Sequence, residues 1–149
     1  QFQYTIIAGS RDHENILYQI NDLGVSECVT FINGLPHEEA ICQLSGSDLF
    51  LLPSLEEGIS NAVLEAMALG VPVISTDCGG MREVIKNSEN GYIVPVRDPN
   101  SMAGAIQNFI HLDEKNKTKI IQSARETIIQ NHLLSHQIDM FKSLYRKIL

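Results

Sequence analysis

The sequence predicts a doubly wound α/β fold built on a parallel sheet. Strand-like and helix-like runs alternate through its first two-thirds, the order expected when helices cover a sheet on both faces. The strand runs at 48–52 and 71–76 are near-continuous in apolar residues rather than alternating, as strands buried on both sides require. Turn residues close these runs, among them Pro53, Asn33 with Gly34, and Gly79 with Gly80.

Taken in order, residues 2–8 are rich in strand formers and run into a turn at Gly9. Ile16, Leu17, Ile20 and Leu23 recur at helical spacing over 14–23, and Gly24 stops that helix. Residues 29–32 form a short strand, and Pro36 opens a helix reaching about Leu44. The strand 48–52 is followed by a loop and then a helix over 61–69, ended by Gly70. A strand at 71–76, a short helix at 81–85 and a last strand at 91–94 come next. Pro99 sits at the first position of a helix, where its missing N–H costs nothing. The rest reads as two or three helices, and Ser135 looks like the N-cap of one of them.

Composition narrows the function classes. With 149 residues the chain has the length of one domain, and 44% hydrophobic with 19% charged residues is ordinary for a globular protein. A formal net charge of −7 without basic clusters argues against nucleic acid or anionic lipid as partner. Cys28, Cys42 and Cys78 are odd in number and form no CxxC pair, which disfavours a disulfide framework or a zinc site and suits a reducing cytoplasm. Cys78 reads as a small buried residue. His132 and His136 have the spacing of a metal pair on a helix, but the break expected at Ser135 argues against that use. The chain opens on Gln1 in what reads as mid-strand, so a fragment of a longer protein is expected.

In an open parallel sheet, ligands collect beyond the carboxyl ends of the strands. The loop 53–61 after the third strand carries the strongest chemistry. It leads into the helix Ala62-Val63-Leu64-Glu65-Ala66-Met67-Ala68-Leu69, in which Glu65 is the single charge. An all-apolar helix is expected to be buried, and a buried carboxylate needs partners. Helical side chains lean toward the N-terminus, so Glu65 should aim at the cleft mouth, where it can accept from the two hydroxyls of a ribose. Gly58, Ile59, Ser60 and Asn61 form the helix entry, whose backbone N–H groups favour an anion. Gly58 lets a ligand approach the backbone, and Ser60 or Asn61 can cap the helix.

Glu57 and Glu65 have seven residues between them. Together with Pro53-Ser54, Gly58, the run Glu65-Ala66-Met67-Ala68 and Gly70-Val71-Pro72-Val73-Ile74, this pattern resembles the Glu-x7-Glu signature of retaining GT-B glycosyltransferases, the glycosyl transferases group 1 family. Gly79-Gly80 with Glu83-Val84-Ile85, Asn90-Gly91-Tyr92, and Asp98-Pro99 continue the resemblance over nearly the whole chain. It implies a Rossmann-like half of a GT-B fold, the C-terminal domain that binds a nucleoside diphosphate sugar. Glu57 would be the catalytic-site residue facing the donor sugar, and Glu65 would hold the ribose. Gly58, Ile59, Ser60 and Asn61, with Gly9, would line the diphosphate and sugar, and Asn33, Gly34 and Leu35 the base pocket. The resemblance further implies transfer with retention, no metal and no other cofactor. Its partners would be an N-terminal domain missing from this chain and, through that domain, a glycan or lipid-linked acceptor. It implies a bacterial polysaccharide pathway and a cytoplasmic location, with the inner membrane face open to the full-length protein. The isolated fragment is expected to be inactive.

Two departures stand out. The family's Arg and Lys that clamp the diphosphate would precede Gln1, and the usual Gly-x-Gly first turn is here Gly9-Ser10-Arg11, where Arg11 offers charge. Other readings are a signalling receiver domain, a glycoside hydrolase, a related epimerase and a non-catalytic sugar-nucleotide-binding module. The receiver lacks its acidic strand ends here, and a glycine-bearing helix entry suits a diphosphate better than a hydrolase's paired carboxylates. The stripe Phe141, Leu144, Tyr145 and Ile148 reads as a packing face of the last helix, which the resemblance turns toward the missing domain.

Overall fold

The computed structural model describes residues 2–8 and 13–148, with the backbone alone for Ile148. The chain divides into two compact units, Gln1–Gln43 and Leu44–Leu149.

In the first unit, β1 (Tyr4–Ala8) pairs in parallel with β2 (Val29–Asn33), in the register Tyr4 to Val29 through Ala8 to Asn33. The helix α1 (His13–Asp22) makes the crossover between them. Its end is marked by Gly24 at φ +65°, a conformation that glycine adopts without strain. The helix α2 (His37–Ser45) leaves this unit and enters the second. Burial along β1 alternates, and neither α1 nor α2 contains a buried residue.

The second unit holds a parallel three-stranded sheet in the order β3 (Phe50–Leu52), β4 (Val73–Thr76), β5 (Tyr92–Val94). All four residues of the central strand β4 are buried, Ser75 and Thr76 included, as a strand covered on both faces requires. One side of the core joins Leu52 and Val73 to Val63, Ala66 and Met67 of α3 (Asn61–Leu69), to Met81 and Val84 of α4 (Met81–Val84), and to Ala124 and Ile128 of α6 (Glu114–Asn131). The other side packs Ile74 and Val94 against Ala105 of α5 (Pro99–Ile110). Asn90, 1% exposed, ties the end of α4 to α6. Its amide donates to the Val84 carbonyl and to Thr127 Oγ1 of α6, and its Oδ1 accepts from the Lys86 N–H.

Several expectations are corrected here. The helix at 61–69 is not covered all round: Val63, Ala66 and Met67 are buried, but Asn61 and Ala68 are exposed and Glu65 is only half-buried. Ser60 takes the N-cap position of α3 in extended conformation, yet its side chain makes no capping bond. Ser135 is no cap either, because α7 (Leu134–Ile148) has already begun and the N–H groups of His136 and Gln137 donate to the Leu133 carbonyl. The side chains described on α7 are all exposed, so the packing face expected of its apolar stripe stands open among the described residues.

Candidate functional site

The loop 53–60 sits at the carboxyl end of β3, and a second loop, 77–80, at the carboxyl end of β4. Parallel neighbours place these two exits side by side, and the loops are joined closely. The buried Thr76 hydroxyl donates to the Ser54 carbonyl. The Gly80 N–H donates to the Gly58 carbonyl at 2.9 Å. Gly79 lies against the Glu57 backbone, so close that an added Cβ would stand 1.6 Å from the Glu57 carbonyl oxygen. Gly80 is packed by Ile59, whose Cγ1 would meet a Cβ there at 2.9 Å. The 77–80 loop is itself pinned by a two-point ion pair, Arg82 Nε to Asp77 Oδ1 at 2.7 Å and Nη2 to Oδ2 at 2.6 Å. That pairing holds the Asp77 carboxyl below its usual range, chiefly through the hydrogen bond from Arg82.

Within the first loop, Ser54 Oγ donates to Glu57 Oε1 at 2.9 Å. Glu57 is half-buried, while Gly58 and Ile59 beside it are exposed. Gly58 has no positive φ, and among the described residues nothing lies within 4 Å of where its Cβ would be. The chain then turns into α3, where Val63 and Leu64 donate to the Ser60 carbonyl. Helix geometry leaves the earlier N–H groups of Asn61 and Ala62 without intrahelical acceptors. Glu65 follows one turn in, half-buried and engaged in an interaction of its own. The helix ends at Gly70 in left-handed conformation, φ +82°, with the Arg125 guanidinium donating to the Leu69 carbonyl beside it.

Glu57, Gly58, Ile59, Ser60, Asn61 and Glu65 therefore lie along one loop and helix entry of the second unit. Asn33, Gly34 and Leu35 belong to the first unit, where they close the β1–β2 ladder at its carboxyl end. There the Gly34 N–H donates to the Ala8 carbonyl at 3.0 Å, and Gly34 has φ +71°. Gly9 and Arg11 lie outside the described residues. Cys78 is 2% exposed, a small core residue as its sequence context suggests. Among the described residues no group of three or more His, Cys, Asp or Glu side chains is placed to hold a metal ion. No described helix is long and apolar enough to cross a membrane. The sequence did not single out Ser54, Thr76 or the Asp77–Arg82 pair as partners of this loop. Pro53-Ser54 and Gly79-Gly80 were visible as turn residues and as parts of the family pattern, but nothing in the sequence placed them against each other.

The family model of the glycosyl transferases group 1 matches residues 3–127, from β1 into α6. The chain belongs to this glycosyltransferase family. Among curated relatives, the amylovoran biosynthesis glycosyltransferase AmsK of Erwinia amylovora is 33% identical over 146 residues, which cover 92% of this chain and 36% of AmsK. The chain thus spans about a third of the length of such group 1 relatives. Sucrose-phosphate synthase of Thermosynechococcus elongatus has a similar structure, with a TM-score of 0.89 and 25% identity over 98% of this chain and 38% of the synthase. Anabaena HepE, solved in complex with UDP-glucose, shares the fold at a TM-score of 0.82 and 22% identity, covering 97% of this chain and 41% of HepE. The α/β architecture with parallel sheets is thus that of the Rossmann-like GT-B domains.

Proposed function

We propose that this chain is the donor-binding domain of a retaining glycosyltransferase, taking a sugar from a nucleoside diphosphate sugar and passing it to a glycan or lipid-linked acceptor held by another part of the full-length protein. The observation that carries the reading is Gly58. It is exposed, unstrained and faces open space, so the fold itself gives no reason for a glycine there. A ligand that needs close access to the backbone supplies one. Half-buried Glu57 on one side and the α3 entry on the other suit a hydroxyl-rich sugar joined to an anion. Glu57 accepts from the hydroxyls of the donor sugar, the backbone of Gly58, Ile59, Ser60 and Asn61 meets the sugar and diphosphate, and Glu65 accepts from the ribose. Asn33, Gly34 and Leu35, with Gly9, are assigned to the base and phosphate ends on the strength of the family pattern. UDP-glucose bound to HepE supports a sugar nucleotide as the ligand class. The helix N-terminus, rather than a metal, offsets the diphosphate charge.

The test is a titration of isotope-labelled protein with UDP, GDP and ADP, followed by amide shifts. The expected result is base-selective binding in the millimolar range, with shifts at Gly58, Asn61, Glu65 and 33–35. It persists in a chelator and weakens about tenfold in Glu65→Ala, the loss of a charge-assisted hydrogen bond. Absence of shifts in the full-length protein at millimolar nucleotide would sink the reading.

A further inference from the structure

We infer that Ser54 is a positioning residue for Glu57, setting which of its carboxylate oxygens meets the donor sugar. The inference rests on the donor-site reading above and goes beyond it. A glutamate side chain in a loop has three rotatable bonds, and holding it in one pose costs entropy unless something fixes it. The Ser54 hydroxyl donates to Oε1 of Glu57 at 2.9 Å, and both side chains are half-buried. Ser54 is itself held, because the Thr76 hydroxyl, 4% exposed at the end of the central strand, donates to its carbonyl. On the far side of Glu57 the backbone is gripped by Gly79 and by the bond from the Gly80 N–H to the Gly58 carbonyl. The loop is therefore braced before and after Glu57, and the Ser54 hydroxyl extends that brace to the carboxylate. With Oε1 engaged, Oε2 is the oxygen presented to a pair of sugar hydroxyls.

The experiment compares affinities for the bare diphosphates UDP, GDP and ADP with those for their hexose conjugates, measured by calorimetry on the full-length protein. The ratio between conjugate and bare nucleotide isolates the sugar contact. Glu57→Ala is expected to lower that ratio about tenfold and Ser54→Ala about fivefold, with the bare nucleotide unaffected in both. Ser54→Thr, which keeps the hydroxyl, restores the ratio. In a Glu57→Ala background, Ser54→Ala has no further effect, because it acts through the missing carboxylate. A merely structural Ser54 would weaken bare nucleotide and conjugate alike, or would keep its effect without Glu57, and either result overturns the proposal. If Glu57→Ala lowers the ratio and Ser54→Ala does not, the positioning role alone fails. If Glu57→Ala leaves the ratio unchanged, the donor-sugar role of Glu57 fails and this inference with it.

Discussion

A methyl group built on Gly79 would lie 1.6 Å from the Glu57 carbonyl oxygen, and the residue sits at φ +55°. Both facts tie this glycine to the fold, since a side chain would be strained and would push the Glu57 backbone out of place. Gly58, one residue beyond Glu57, has neither constraint. The two substitutions should therefore separate. Gly79→Ala is expected to cost roughly 2–4 kcal/mol in denaturant unfolding. Gly58→Ala should stay within about 0.5 kcal/mol of the parent and yet weaken nucleotide-sugar binding about tenfold, read by calorimetry. Equal stability losses in the two variants would remove the argument from Gly58 to a ligand. In the sequence these glycines look much alike, each following a strand. What distinguishes them is a contact between loops that leave neighbouring strands, and residue type carries no record of it. The carboxylates were legible because charge is rare in so apolar a stretch. The Ser54 hydroxyl was not, because serine in a turn needs no partner to explain it.

Local signals decide the helices, and here sequence and structure agree where the signal is strong. The helix over 61–69 has the bounds expected for it, from Ser60 in the cap position to left-handed Gly70. Its burial was misjudged, because an apolar composition does not say whether a neighbour covers every face, and Ala68 is exposed. The strands are shorter than their apolar runs, since β3 and β5 each pair with β4 over three residues. At α5 the signals are complete. Pro99 begins the helix, and Asp98 accepts from the Ser101 N–H at 3.0 Å and from its hydroxyl at 2.6 Å. The Ser101 hydroxyl, and then its N–H, lower the Asp98 pKa. A carboxyl lowered in the folded state stabilises it at pH values above its unfolded pKa, near 4 for aspartate. That contribution fades as pH falls through the lowered folded value. Asp98→Ala should thus shift the urea midpoint downward at pH 7, and the gap to the parent should close in acid. A gap that stays constant from pH 7 to pH 2 would mean that the carboxylate charge plays no part in this cap.

Across the molecule, burial is divided unevenly between the two units. Every residue described as buried lies between Leu52 and Ile128, inside the second unit. The first unit has a parallel pair of strands and two helices, none of which contains a buried residue. Local opening free energy follows the apolar surface that opening exposes to water. Backbone amides of β4 and α3 should therefore exchange slowest with solvent, near the global unfolding limit. Those of β1 and β2 should exchange at least about tenfold faster, and those of α7 faster again. The parallel α/β class was legible from the order of elements and the apolar strands, but this division was not, because the runs at 2–8 and 48–52 look equally able to fill a core. Of the residues proposed to hold the donor, Glu57 and Glu65 stand on the unit that contains the buried residues, whereas Asn33, Gly34 and Leu35 stand on the unit expected to be softer. Nucleotide should then raise protection at 33–35 by a larger factor than at Glu57, since only the softer loop has much opening to suppress. Hydrogen exchange with and without saturating nucleotide measures both quantities. Uniform protection in the free protein would mean that the first unit draws stability from more than its own packing, and the contrast in ligand response would vanish with it.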